Sequence, residues 1–200
     1  MDYDCPQPIC HSISHIKTIC KREGDVFYDK KNNVLCIKGE IDVFGKMFDE
    51  IKKFKIKRNI TVDLESMGGG VDTAIKIADY LKKYRYTAVV YNDCISSCAQ
   101  FLFIGGNKRI IAGNGRVIFH GGPFTADQIL KMNPDERLRN QIILETERFK
   151  KFYIDRNISL DVLYKHPDKH ELEVSFGDDV MKLMSKEEFE KYGIKVHYCK

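Results

Sequence analysis

Residues 87–104 read TAVVYNDCISSCAQFLFI and contain the clearest strand-to-helix transition of the chain. Its first five residues form a short β-branched and aromatic run typical of a buried strand, and the run from Cys98 to Ile104 is apolar enough for a short helix. A turn with the sequence Cys94-Ile-Ser-Ser-Cys98 joins the two. Strands that pass directly into helices are the units of layered α/β folds, in which chemistry is expected at the strand-to-helix turns.

The same alternation continues on both sides of this stretch. Short apolar runs predict further strands at residues 34–37, 60–64, 110–111, 117–119 and 180–184. Segments with helical period predict helices at residues 41–54, 71–84, 134–157 and 185–193, the last opened by a Ser185 and Glu188 capping box. The pattern predicts one α/β domain over residues 25–200, whereas residues 1–24 have little periodicity and indicate a Cys-rich arm or cap.

The composition limits the possible partners. A chain of 200 residues with 43% hydrophobic residues is long enough to close one core. The 33 Lys and Arg residues nearly balance 29 Asp and Glu residues and are scattered, so we expect no nucleic-acid partner. We also expect no membrane insertion, because no run approaches the roughly 18 apolar residues of a membrane span.

The cysteine content bears on the compartment. Seven cysteines favour an exported protein whose signal peptide has been removed, with the cytoplasm as the alternative. Because seven is odd, at least one thiol is expected to be free or paired between chains.

Three features that carry chemistry follow one another along the chain. Residues 67–70 read Met-Gly-Gly-Gly after a strand, Ser96 and Ser97 follow another strand, and His120 ends a third. A nucleophilic serine needs a base within hydrogen-bond reach and backbone amides aimed at the oxyanion. Taken singly these features are usually a plain turn, a helix cap and a structural histidine, but their conjunction predicts a catalytic site.

Four motifs carry a resemblance to a known family. They are Gly68-Gly-Gly-Val71, Ser96 with Gly105 nine residues later, GRVIFH ending at His120, and MSKEEFEKYG over residues 184–193. In order and spacing they resemble the successive motifs of the Clp protease proteolytic subunit, ClpP, over residues 30–195. The Cys-x-Ser-x-Cys arrangement is similar to exported bacterial relatives of that subunit, which share the ClpP/crotonase fold.

The resemblance implies a serine peptidase acting on peptides or proteins, without a metal or cofactor. It places Ser96 as nucleophile, with Ser97 as the alternative, and His120 as general base. Gly68, Gly69 and Gly70 with the Ser97 amide would form the oxyanion hole. Helix 134–157 is similar to the handle helix that joins subunits in the family, which implies a homo-oligomer.

One position departs from the family pattern. The aspartate that orients the histidine lies four residues before the serine of the last helix, and this position holds Met181. Asp179, two residues earlier, would point to the same face of a regular strand. Asp178 and Asp168 are further candidates, and residues 166–177 look inserted relative to the family. The sequence therefore predicts a Ser-His pair and leaves the third group open.

Cys94 and Cys98 flank the two serines and allow several interpretations. They can form a disulfide across the turn, remain buried thiols, provide a low-pKa nucleophile, or contribute to a metal site.

Two further functions compete with the peptidase. A crotonase-type enzyme would bind an acyl-CoA thioester and recruit Glu65 and Asp72 beside the glycine turn as acid and base. A scaffold or binding module that has lost its aspartate would have no turnover.

Overall fold

The computed structural model describes residues 10, 13, 15–21, 24–120, 126–164 and 181–199. Asp168, Asp178 and Asp179 lie outside the described residues, as do Cys5 and His11. The backbone of His120 is described, and its side chain is not.

Nine strands of the described chain form one curled, mixed sheet. They are β1 Val26–Asp29, β2 Val34–Ile41, β3 Thr61–Gly69, β4 Thr87–Val90, β5 Asp93–Ile95, β6 Lys108–Ala112, β7 Arg116–His120, β8 Met181–Leu183 and β9 His197–Cys199. The order is β8-β7-β5-β3-β4-β6-β9, and β2 pairs with both β3 and β1. The β1–β2 and β7–β8 pairs are antiparallel and the others are parallel. The mixed α/β class predicted from the sequence is confirmed.

The long strand β3 is shared by two wings of the sheet. Its first half pairs with β4 in the register Thr61 to Thr87, and its second half pairs with β5 through Ser66 and Cys94. Strands β6 and β9 extend the β4 wing, whereas β7 and β8 extend the β5 wing. Because β2, β3, β5 and β7 are parallel, their carboxyl ends meet at one edge of the sheet.

Helices follow most of these strands. They are α1 Ile16–Ile19, α2 Lys46–Lys53, α3 Val71–Lys82, a π-helix Cys98–Phe103, α4 Ala126–Met132, α5 Glu136–Ile154, α6 Asp161–Tyr164 and α7 Lys186–Lys191. The predicted capping box of α7 is confirmed, since the Glu188 amide donates to Ser185 Oγ and the Ser185 amide donates to the Glu188 carboxylate. None of the helices within the described ranges is long and apolar enough to cross a bilayer.

Two predicted helix starts were wrong. The helix predicted from residue 41 begins at Lys46, because Ile41 still pairs in β2. The helix predicted from residue 134 begins at Glu136, because the Asp135 carboxylate accepts the Leu138 amide and caps it. In both places an aspartate binds the first free amides and fixes the start of the helix.

The sheet has apolar clusters on both faces. The main core contains Val62 and Leu64 of β3 together with α3, the π-helix and α5. The second cluster contains residues from the opposite face of the sheet and from the N-terminal segment: Ile13, Ile16, Cys20, Val34, Cys36, Val89, Ile110, Ala112 and Cys199. The Cys10–Cys199 and Cys20–Cys36 disulfides attach the N-terminal segment to β9 and β2. Its described residues therefore lie against the sheet and cover this face.

Candidate active site

Ser96 lies at the sharp turn between β5 and the π-helix. Its backbone has φ 55°, in the left-handed region, and its side chain is half-buried. The Ser96 amide donates to the Ile118 carbonyl at 2.9 Å, and its carbonyl accepts the Gln100 amide at 2.8 Å. A non-glycine residue in this conformation is uncommon, although Arg85 shares it with φ 57°, and a strained strand-to-helix turn is one arrangement that exposes a nucleophile. Strand β7 and the π-helix thus hold Ser96 from both sides.

The glycine turn at the end of β3 touches the serine turn. Gly68 and Gly69 have φ of 93° and 132°, which side chains rarely adopt. A Cβ on Gly68 would lie 2.7 Å from Ser96 Cβ and 3.0 Å from the Ser97 amide nitrogen. Only a residue without a side chain allows this approach, so the structure brings together the predicted glycine and serine motifs.

The amides of the glycine turn differ in their partners. The Gly68 amide donates to Ser66 Oγ at 3.1 Å, and the Gly70 amide donates to the Ile41 carbonyl at 2.7 Å. These internal acceptors occupy two of the three amides that the sequence nominated. Gly69, between them, is the remaining candidate donor of the turn.

The two serines differ in accessibility. Ser97 is 1% exposed, and its Oγ has no hydrogen-bond partner among the described residues. Its amide belongs to the first turn of a helix, where amides lack intrahelical acceptors. Ser96 therefore carries the hydroxyl that a substrate can reach, while Ser97 can offer an amide.

His120 ends the strand next to the serine turn. Strand β7 pairs with β5 in the register Ile118 to Ile95, so His120 lies at the same carboxyl edge as Ser96. On its other side β7 pairs with β8, and Met181 lies directly opposite His120. The half-buried Met181, at the position where the sequence resemblance would require an aspartate, thus adjoins the histidine backbone.

The Cys94–Cys98 pair is a disulfide across the serine turn. The two Cα atoms are 5.3 Å apart and both residues are fully buried. Six of the seven cysteines are thus paired within the chain, and the seventh, Cys5, lies outside the described residues. Of the interpretations that the sequence left open, the disulfide is the one observed.

The π-helix behind Ser96 is braced by buried side chains. Tyr153 of α5 donates its hydroxyl to the Gln100 carbonyl at 2.9 Å, and Tyr86 donates to the Leu102 carbonyl at 2.7 Å. The Arg109 guanidinium donates to the Ile104 carbonyl at 3.0 and 2.6 Å. Burial raises the pKa of Tyr153 well above its ordinary value, so its hydroxyl stays a donor. Sequence reasoning did not find these residues, because nothing in the sequence distinguishes them from ordinary core or surface positions.

Three large apolar side chains beside the glycine turn are exposed to solvent. Phe44 is 83% exposed, Val43 is 66% exposed and Met67 is 59% exposed, and together we call them the apolar rim. Met67 directly precedes Gly68, and a Cβ on Gly70 would lie 2.9 Å from Val43 Cα. Sequence reasoning missed this surface, because exposure is not readable from the residue types.

The loop that carries the rim is fixed by Asp42. Its carboxylate accepts the amides of Phe44, Lys46 and Met47 at 2.8 to 2.9 Å. These bonds, with the Met47 amide first, lower the pKa of Asp42. The backbone that carries Val43 and Phe44 is therefore held in place by a carboxylate that stays ionised at neutral pH.

The acids considered for a crotonase-type site are engaged elsewhere. Glu65 forms an ion pair with Lys38 at 3.0 Å, and Asp72 forms one with Arg148 at 2.8 Å. Within the described ranges no group of three or more His, Cys, Asp or Glu side chains could hold a metal ion.

Comparison with known proteins gives no further assignment. No protein-family model matches the sequence, and no curated protein matches it.

Proposed function

We propose that the chain is a serine peptidase of the ClpP/crotonase-like fold, with Ser96 as nucleophile and His120 as general base. The observation that carries this proposal is the contact between Gly68 and Ser96, at the edge where β7 ends in His120. Acyl transfer requires an accessible nucleophile, a base within reach and amides aimed at the oxyanion, and the half-buried Ser96 hydroxyl beside helix-start amides and the glycine turn supports the first and the third.

The chemistry follows from these groups. Ser96 Oγ attacks the peptide carbonyl carbon while His120 takes the hydroxyl proton, and the amides of Ser97 and Gly69 stabilise the oxyanion. The tetrahedral intermediate collapses, the C–N bond breaks, and His120 returns the proton to the leaving amine. Water then attacks the acyl-enzyme with the same base and releases the acid. The reaction needs no metal or cofactor.

The apolar rim supports a peptide or protein substrate. Exposed large apolar side chains next to a reactive centre favour extended segments that carry apolar residues.

Helix α5 supports the proposal of a homo-oligomer. It carries Leu138, Ile143, Leu144 and Ile154 exposed on its surface. Ile143 and Ile154, eleven residues apart, share one face of this helix, and exposed apolar side chains on a common helix face are typical of an interface between subunits. The three disulfides support export into an oxidising compartment.

Fluorophosphonate labelling tests the proposed activity. Wild type, Ser96→Ala, Ser97→Ala and His120→Ala are treated with the reagent and read by intact mass, with circular dichroism as the check of folding. We expect labelling of wild type and Ser97→Ala, and its loss in Ser96→Ala and His120→Ala. Labelling that survives both serine substitutions would contradict the proposal.

Met181 favours a second candidate, a binding module without turnover. A methionine opposite His120 cannot orient the imidazole by a hydrogen bond to a carboxylate. The same experiment separates the two functions, since folded wild type that shows no labelling at all supports the binding module.

A further inference from the structure

The Cys94–Cys98 disulfide joins the residue two positions before Ser96 to the residue two positions after it. Cys94 pairs in β5 with Ser66 of β3, and Cys98 begins the π-helix. The disulfide therefore closes a five-residue ring around the proposed nucleophile and links the strand to the helix.

The conformation inside this ring needs support. The left-handed region disfavours side chains, and Ser96 occupies it at φ 55°. Its two backbone hydrogen bonds hold the centre of the turn, and the disulfide fixes the two ends with Cα atoms 5.3 Å apart. Because Gly68 touches Ser96 Cβ from the other side, a relaxed turn would move both the hydroxyl and the Ser97 amide.

We propose that the Cys94–Cys98 disulfide is the positioning group for Ser96, and that the serine becomes reactive only in molecules in which this bond has formed. This inference rests on the proposed peptidase function. Both cysteines are fully buried, so the bond forms while the chain folds and is shielded from reductants afterwards. The chain would then stay inactive in a reducing compartment and acquire its activity on export.

The redox step is a thiol–disulfide exchange. A donor disulfide such as oxidised glutathione takes two electrons and two protons from the Cys94 and Cys98 thiols, which gives the protein disulfide and two glutathione thiols.

The test compares two disulfide deletions. Cys94→Ala with Cys98→Ala removes the proposed positioning group, and Cys20→Ala with Cys36→Ala removes a buried disulfide on the other face of the sheet. The control bond closes a longer loop, with a sequence separation of 16 against 4, so its removal should destabilise the protein more. A general loss of stability would therefore affect the control more strongly.

We expect the opposite order for reactivity. The rate constant for fluorophosphonate labelling of Ser96 should fall by about 100-fold without the Cys94–Cys98 bond and by less than about threefold in the control, because a displaced nucleophile loses its alignment. For a peptide substrate kcat should fall while KM stays unchanged, since the apolar rim is intact.

Two outcomes contradict different claims. Unlabelled wild type would overturn the peptidase function and this inference with it. Labelled wild type with equally fast labelling of the Cys94/Cys98 double variant would overturn the positioning role alone. A second variant, Cys94→Val with Cys98→Ala, restores the buried volume and is measured in parallel. Normal labelling in either of the two folded variants that lack the Cys94–Cys98 bond overturns the inference.

Discussion

Gly68 shows how a single missing side chain defines the candidate site. It needs φ 93°, and its Cα position leaves no room for a Cβ between Ser96 and the Ile95 carbonyl. A triple glycine predicted a close approach of the backbone at this point. The expected neighbour was a substrate, and the serine turn was not anticipated, because it lies almost thirty residues away and is brought there by strand pairing.

Substitution of Gly68 by alanine should disturb both the fold and the site. We expect Gly68→Ala to lower the free energy of unfolding by about 3 kcal/mol, because the new Cβ meets backbone atoms in a disfavoured conformation. Urea unfolding measures this loss, and fluorophosphonate labelling should slow in parallel.

Gly113→Ala is the matched control for this prediction. Gly113 also has positive φ, 59°, but nothing lies within 4 Å of an added Cβ. It should lose only about 1 kcal/mol and keep its labelling rate. Equal effects of the two substitutions would show that the contact with Ser96 does not matter.

Among the helices and strands, the π-helix is the one whose geometry was least predictable from the sequence. The apolar run 98–104 predicted a short helix, which is correct, but the wide π turn was not predictable, and its carbonyls and that of Ile104 accept side-chain donors from outside the helix, namely Tyr86, Arg109 and Tyr153. Periodicity reports which face of a helix is buried and carries no information about such donors.

Tyr153 is the brace that links α5 to the serine turn. Tyr153→Phe keeps the ring and leaves the Gln100 carbonyl without this donor. We expect a loss of about 1–2 kcal/mol in the free energy of unfolding. A slower labelling of Ser96 should accompany it, because Gln100 also donates to the Ser96 carbonyl.

Tyr84→Phe provides the comparison for Tyr153→Phe. Its hydroxyl forms a half-buried hydrogen bond with the Tyr80 hydroxyl at 3.2 Å, away from the π-helix. Its removal should change stability by less than about 1 kcal/mol and leave labelling unchanged. If Tyr153→Phe behaves in the same way, the brace has no role in positioning the serine.

Strand and helix positions were largely predictable where a single period dominates, as in α3 and α7. The starts of α2 and α5 were not, because Ile41 still pairs in β2 and because the Asp135 carboxylate caps α5. Strand β5 was also missed, because three residues next to a turn show no alternation.

At the scale of the whole molecule, the N-terminal segment changes the properties of the sheet beneath it. The sequence indicated an arm or cap, and it could not assign the disulfides, because six cysteines alone allow fifteen pairings. Asp63 of β3 pairs with Cys36 of β2 on one side and with Val89 of β4 on the other. The segment covers this part of the sheet, and Asp63 is only 5% exposed.

This buried carboxyl predicts a pH-dependent stability. Burial raises the pKa of Asp63 to about 7, which the positive charge of Lys38 only partly offsets. The folded state then holds a proton that the unfolded state releases above about pH 4. The contribution of this proton to the free energy of unfolding is complete below about pH 4. It falls as the pH rises from about 4 to about 7 and is lost above pH 7. The total loss is on the order of 4 kcal/mol.

Asp63→Asn isolates this contribution. Urea unfolding of wild type and Asp63→Asn at pH 5 and pH 8 should show that wild type loses several kcal/mol relative to the variant between these two values. A difference between the two proteins that does not change with pH would mean that Asp63 titrates normally in the folded state.

The Cys10–Cys199 bond has a mechanical consequence. It joins positions separated by 189 residues, so nearly the whole described chain is a covalent circle. A single backbone cut within the circle leaves the fragments tethered, and the sheet can hold them in register. A pulling force applied beyond residues 10 and 199 passes through the sulfur bridge and leaves the strands unloaded.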